Sequence, residues 1–323
     1  MTCTPDLTRL GRWLAALVLL LGAAVSCDEG TTAPGTPAPV KASEWVASVN
    51  WDAATVVEVT MAEVSPTSYA FQPSSLTFEA GKPYVLRIIS PSVNIAKHYF
   101  SPDGAGNFYQ AIATRKVQTS QAEYKAPHFN AVELLVGGAL ELYFVPVLPG
   151  TYDIVCTVPG HRELGMVASV TITGGAGNAL DLEIAPDYNT ALATDPRTSS
   201  SHEVWSSRID VTVAIAEQPS YSFLPEDLAL TRDLGYKIVL QSAGGNAEKH
   251  YYTAESFYRT VVLRKAEDSQ AEIKAPYFKA IELLAGGSTQ LFVVPTVAGT
   301  FPAECTIPGH AALGMTGTVV VSP

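Results

Sequence analysis

The chain is poor in the residues that most often carry chemistry. Its 323 residues hold four cysteines, four methionines and six histidines. So few thiols exclude a dense disulfide framework. Lys and Arg number 20 against 31 Asp and Glu, a formal charge of −11. No stretch gathers enough basic charge to follow a phosphate backbone, so nucleic acid is not expected as a partner. Long hydrophobic runs are missing too, apart from WLAALVLLLGAAV near the start, which is too short to span a bilayer comfortably. In their place stand 24 glycines, 22 prolines and a hydrophobic fraction of 47%. These point to sizeable cores made of short strands and many turns. The length suggests about two domains.

The first residues read as an export signal. Arg9 and Arg12 precede the apolar run, and small residues follow it. AVSC at 24–27 resembles the lipobox of bacterial lipoproteins, whose cysteine, here Cys27, becomes the lipidated first residue after cleavage. An ordinary secretory signal cleaved nearby is the alternative, and either one exports the protein. Cleavage would remove Arg9, Arg12 and Asp6, taking the formal charge to −12. An acidic exterior of that kind suits a partner with a basic docking face. Asp28 beside Cys27 resembles a signal for retention at the inner membrane. The expected location is therefore the cytoplasmic membrane, facing the periplasm or cell exterior.

The rest is a tandem duplication. At an offset of 149, residues 115–173 and 264–322 are identical at 30 of 59 positions. Upstream, YAFQP at 69 matches YSFLP at 221, and NIAKHYF at 94 matches NAEKHYY at 246. The expected division is a signal peptide at 1–26 and a lipid anchor with a flexible, Pro/Thr/Ala/Gly-rich tether at 27–52. A first domain follows at 53–174, a linker that partly packs on the domains at 175–207, and a second domain at 208–323. Within each copy the periodicity is mostly two. TYDIVC puts Tyr152, Ile154 and Cys156 on one face; the next strand puts Met166, Ala168, Val170 and Ile172 on one face. Phe301, Ala303 and Cys305, then Met315, Gly317, Val319 and Val321, repeat the pattern. The expected class is all-β, with a Greek-key β-sandwich in each copy.

CTVPGHRELGM at 156–166 returns as CTIPGHAALGM at 305–315. Cys156 and Cys305 could form one disulfide, but equivalent places in two repeats argue for equivalent jobs, each inside its own unit. A soft thiolate, imidazole and a weak thioether suit copper in both oxidation states. Zinc more often collects further Cys, His or carboxylate. The loop supplies Cys, His and Met, so a second His must come from elsewhere. Of the six histidines, His98 and His250 hold matching places, each after Lys and before Tyr. His128 aligns with Tyr277, and His202 lies in the linker. One site is then His98, Cys156, His161 and Met166; the other is His250, Cys305, His310 and Met315.

These residues resemble the cupredoxins, the type 1 or blue copper proteins. The resemblance runs from FQPSSLTFEAGKPYVLRI to the final strand of each copy, and the Cys-x4-His-x4-Met loop is closest to azurin and auracyanin. It implies two His and one Cys in a trigonal plane with an axial Met, hence two copper ions per chain. Many relatives carry Asn after the first His; Tyr99 and Tyr251 stand there instead, so the hydrogen bonding at sulfur does not carry over. The resemblance also makes His161 and His310 electron ports, ringed by Pro159, Leu164 and Gly165 and by Pro308, Leu313 and Gly314. The function expected is electron transfer with redox partners such as a c-type cytochrome or a membrane oxidase.

Two rivals stand beside it. One is a periplasmic copper carrier, although carriers usually present open Met- or His-rich sites. The other is a multicopper enzyme such as a nitrite reductase or small laccase. Such enzymes need further histidines, often one adjoining the Cys. Here Cys156 lies between Val155 and Thr157, Cys305 lies between Glu304 and Thr306, and no His-x-His occurs. A non-enzyme is therefore expected. Smaller features take plain readings. Arg115-Lys116 and Arg264-Lys265 read as a solvated helix face, AEYKAPHF and AEIKAPYF as segments crossing one end of a sandwich, and Lys97 and Lys249 as exposed. Tyr99 and Tyr251 read as packing residues.

Overall fold

Alternation decides the strands. In Val167–Thr173 the side chains of Ala168, Val170 and Ile172 are buried, while Val167 and Thr173 are exposed. That is the period of two a half-buried strand requires. Ser75–Glu79 and Asp227–Thr231 show it as well. The computed structural model describes residues 38–104, 106–175, 179–217 and 220–323. The expected signal peptide and Cys27 lie outside the described residues. The fold is all-β, two tandem Greek-key sandwiches.

In the first repeat, one sheet takes Ser68–Gln72, Thr55–Ser65, Tyr84–Ile89, Ala139–Pro146, Ile112–Gln118 and Ala122–Lys125 in that order. The other takes Ser75–Glu79, Val167–Thr173, Gly150–Val155, His98–Asp103 and Ala131–Leu134. Parallel pairings of Thr55–Ser65 with Tyr84–Ile89, and of Val167–Thr173 with Ser75–Glu79, require crossovers rather than simple hairpins. Phe78, Phe108 and Phe144 are fully buried in the core between them, and Phe144 meets each of the other two edge to face. The second repeat reproduces this plan.

The sheets do not end at the repeats. Ala122–Lys125 pairs antiparallel with Ala280–Leu283, and Ala131–Leu134 with Ala271–Lys274. Strand 122–125 is equivalent to 271–274, and 131–134 to 280–283, so the seam has an approximate two-fold. AEYKAPHF and AEIKAPYF therefore build this seam instead of crossing one end of a sandwich. The physical reason is that an edge strand's free N–H and C=O groups need a partner, and the other repeat provides it. Closeness at the seam dictates a residue type. A Cβ on Gly138 would lie 2.1 Å from the Gln270 carbonyl oxygen, and one on Gly287 would lie 2.0 Å from that of Gln121.

Arg115-Lys116 and Arg264-Lys265 lie on strands, Ile112–Gln118 and Val261–Glu267, not on a helix face. A strand sends neighbours to opposite directions. Arg115 sits over Trp51 and Arg264 over Trp205, while Lys116 and Lys265 are largely buried against Glu123 and Glu272. The end of the expected tether is also folded. Val40–Lys41 pairs with Leu180–Asp181, and the helix Ala42–Ala47 follows. Trp45, Val46 and Trp51 give that segment an apolar face, which packs on Ala113, Val145 and Val147. Between the two repeats, Tyr188, Leu192 and Trp205 are buried, and Tyr188 donates to the Pro276 carbonyl at 3.0 Å.

Candidate metal centres

The Cys-to-Met spacing is a hairpin closure. Gly150–Val155 and Val167–Thr173 pair antiparallel with Val155 opposite Val167. The next rung joins the Cys156 N–H to the Met166 carbonyl at 3.1 Å, bringing thiol and thioether to one level. The loop between them curls back, with Met166 N–H donating to the His161 carbonyl at 3.0 Å. Gly165 makes this possible with φ +102°, a left-handed conformation, and a Cβ there would press to 3.2 Å from the Tyr69 carbonyl oxygen. The second loop has the same bonds, Cys305 N–H to Met315 at 3.0 Å and Met315 N–H to His310 at 3.0 Å.

His98 opens the strand His98–Asp103, which pairs with Gly150–Val155. The pairing carries its imidazole to the loop. His98 Nδ1 and His161 Nδ1 are 3.1 Å apart, and Cys156 Sγ lies 3.9 and 3.5 Å from them. In the second repeat His250 Nδ1 and His310 Nδ1 are 3.2 Å apart, with Cys305 Sγ 3.5 Å from His310. Within each triad all donor atoms fall within 4.8 Å of one another. His98 and Cys156 are 0% and 1% exposed and His161 is 7% exposed, so the loop histidine is the member of the triad nearest solvent. Met166 and Met315 are fully buried.

The donors fit copper. Two Nδ1 atoms facing each other at hydrogen-bond distance cannot both carry a proton, so a lone pair points into a dry space already lined by sulfur. Burial, with the charge of His161, pushes His98 down, and burial pushes His161 down. The rings are therefore neutral near pH 7 and free to ligate. Burial pushes the Cys156 thiol up, partly offset by the N–H groups of Tyr99 and Val158. Burial pushes Cys305 up as well. A thiolate is unfavourable in such a site without a cation, and a soft cation is what sulfur and imidazole prefer.

Two pairs of residues escaped the sequence reading. Glu217 Oε1 lies 2.9 Å from His250 Nε2, on the far side of the ring from the Nδ1 that faces His310. Glu63 Oε1 stands 3.2 Å from His98 Nε2 without meeting hydrogen-bond geometry. Burial works to raise the Glu63 carboxyl. The N–H groups of Ile95 and Ala96, at 3.0 and 2.7 Å, outweigh it together with His98, so the carboxyl is held low and anionic. A carboxylate behind a ligating histidine fixes its tautomer and orientation. Tyr69 stacks on His161 at 4.3 Å and 8°, and Tyr221 lies 4.7 Å from His310. The signal for both pairs was present as repeats: Ala-Glu at 62–63 and 216–217, and the Tyr opening YAFQP and YSFLP.

The remaining histidines lie elsewhere. His128 is buried with Nδ1 3.1 Å from the Phe129 carbonyl, and His202 Nδ1 accepts from Val204 N–H at 3.2 Å. Among the described residues the two triads are the groupings with metal-ligand geometry.

No protein-family model and no curated protein matches the chain. Solved structures show weak similarity. A reduced auracyanin from the photosynthetic bacterium Roseiflexus castenholzii is 17% identical over 35% of this chain and 97% of its own, with a TM-score of 0.26. The copper nitrite reductase from Nitrosomonas europaea is 12% identical over 83% and 94%, with a TM-score of 0.28. A multicopper oxidase from Campylobacter jejuni is 8% identical over 84% and 65%, with a TM-score of 0.29. Scores this low carry no function from one protein to another. The chain's own residues show two copper-fitting His–Cys–His clusters, one on each sandwich.

Proposed function

We propose that the chain is an exported, membrane-tethered electron-transfer protein with two type 1 copper centres, lipidated at Cys27. The carrying observation is the buried convergence of two Nδ1 atoms and one Sγ at equivalent places in both repeats. Bound there, copper supplies a one-electron Cu(I)/Cu(II) couple. The protein's part is to hold the donors still. The Cys and Met ends of the loop are tied to one hairpin, and the remote histidine is tied to the same sheet, so little has to move when charge changes. Met166 and Met315 would complete the two donor sets with their thioethers, and His161 and His310 would be the ports through which electrons reach a partner such as a c-type cytochrome or a membrane oxidase.

A copper carrier needs donors that a receiving site can reach, and ligands 0–7% exposed offer few. An enzyme needs a further open site, and His128 and His202 are engaged by their own chain. The test is to load the full chain with Cu(II) and record metal stoichiometry with visible and EPR spectra. Two coppers and an intense blue band are expected, and Cys156→Ser and Cys305→Ser should each remove about half of that band. A colourless loaded protein would refute the reading. Oxidase or nitrite reductase turnover with a third copper would favour the enzyme.

A further inference from the structure

Two clusters of charge cross the seam, and electron transfer as proposed gives them no role. In one, Lys97 Nζ reaches Glu133 at 2.8 Å and, in the other repeat, Glu272 at 3.2 Å. Beside them Lys274 of the second repeat donates to the Tyr99 hydroxyl at 3.1 Å, its ammonium 4.6 Å from the ring centre. In the matching cluster Lys249 holds Glu282 at 3.0 Å and Lys116 holds Glu123 at 2.6 Å. Lys125 of the first repeat donates to the Tyr251 hydroxyl, its ammonium 4.4 Å from that ring. Each of these tyrosines is thus held by a lysine from the opposite repeat.

Tyr99 touches the centre directly. Its backbone N–H donates to Cys156 Sγ at 3.4 Å, and it follows His98 in the strand. An N–H aimed at a thiolate draws electron density from the sulfur and so favours the state that holds the extra electron. Anchoring the phenol at its far end steadies the backbone that carries the N–H.

Resting on the electron-transfer reading, we infer that each repeat sets the reduction potential of the other repeat's centre. Lys274 positions Tyr99 against Cys156, and Lys125 positions Tyr251 against Cys305. Both lysines are positioning residues and neither touches the metal.

The test uses the copper-loaded full chain. Cys305→Ser leaves the first centre to be read alone. Adding Lys274→Met should lower its potential, so that the Cu(II)/Cu(I) ratio at fixed applied potential rises several-fold (tenfold corresponds to 59 mV for one electron), and should shift its visible band. Lys274→Arg should recover part of the change. Tyr99→Phe, which keeps the ring and the N–H but not the hydroxyl, should move the potential the same way. Lys125→Met should leave this centre unchanged and instead move the second, read in a Cys156→Ser background. A blue protein in which neither Lys274→Met nor Tyr99→Phe moves the first centre would overturn the inference alone. So would equal movement of both centres by Lys274→Met, as a general loosening of the seam would cause. A parent protein with no blue band would overturn the electron-transfer reading and this inference with it.

Discussion

Among single residues, the members of the two His–Cys–His triads were legible and the groups behind them were not. Cys156, His161 and Met166 fall within one loop, and a second copy removes the ambiguity over which histidine joins them. Glu63 and Glu217 reach His98 and His250 from separate strands, and no spacing rule foretells a contact made by strand order. Glu217 gives a direct prediction. Glu217→Gln should weaken copper binding at the second centre by about 10- to 100-fold, read by competition with a chelator, while the first centre keeps its affinity. Glu133 gives another. Burial and the neighbouring Glu272 raise its carboxyl from 4.5 to about 7, against the pull of Lys97. Between those values the folded chain keeps a proton that the unfolded chain has released, so stability falls as pH rises through that window. In thermal melts of metal-free protein, the Tm of the parent chain relative to Glu133→Gln should decline from about pH 5 to about pH 7; the buried histidines, which are pushed down and work in the opposite sense over that window, are common to both and cancel.

At the level of elements, alternation announced which segments are strands and which faces are buried, and Ile154, Val170 and Val319 lie where it put them. It did not announce which strands pair. AEYKAPHF and AEIKAPYF look alike because both stand at one symmetric boundary, and a sequence repeat carries no mark of whether copies touch. Lys116 and Lys265 misled because a helix face was expected where strands run: on a strand each Lys turns away from its neighbouring Arg and lies against Glu123 or Glu272. The glycine pairs in LVGGAL and LAGGST held the clue, since Gly138 and Gly287 leave room for a carbonyl of the other copy. Gly138→Ala should therefore destabilise the protein by about 1–3 kcal/mol, measured by urea denaturation, because backbone at the seam must shift. Unchanged stability would mean that the seam is looser than the 2.1 Å approach requires.

For the molecule as a whole, duplication and an all-β class could be read from the sequence, whereas the degree of fusion could not. The described residues belong to one compact unit, in which each repeat completes the other's sheets. Calorimetry on the full chain should accordingly show one cooperative transition where two independent domains would give two. Saturating copper should raise that transition, by about 4 kcal/mol of stability for each site held at a thousand times its Kd.

The approximate two-fold at the seam has a consequence for how the protein can be assembled. Every strand pairing across it is a self-complementary match between copies, and such a match does not need a peptide bond between the partners. The halves, made as two separate polypeptides in one cell, should find each other and rebuild both centres, whereas either half made by itself would display bare strand edges and seek a twin.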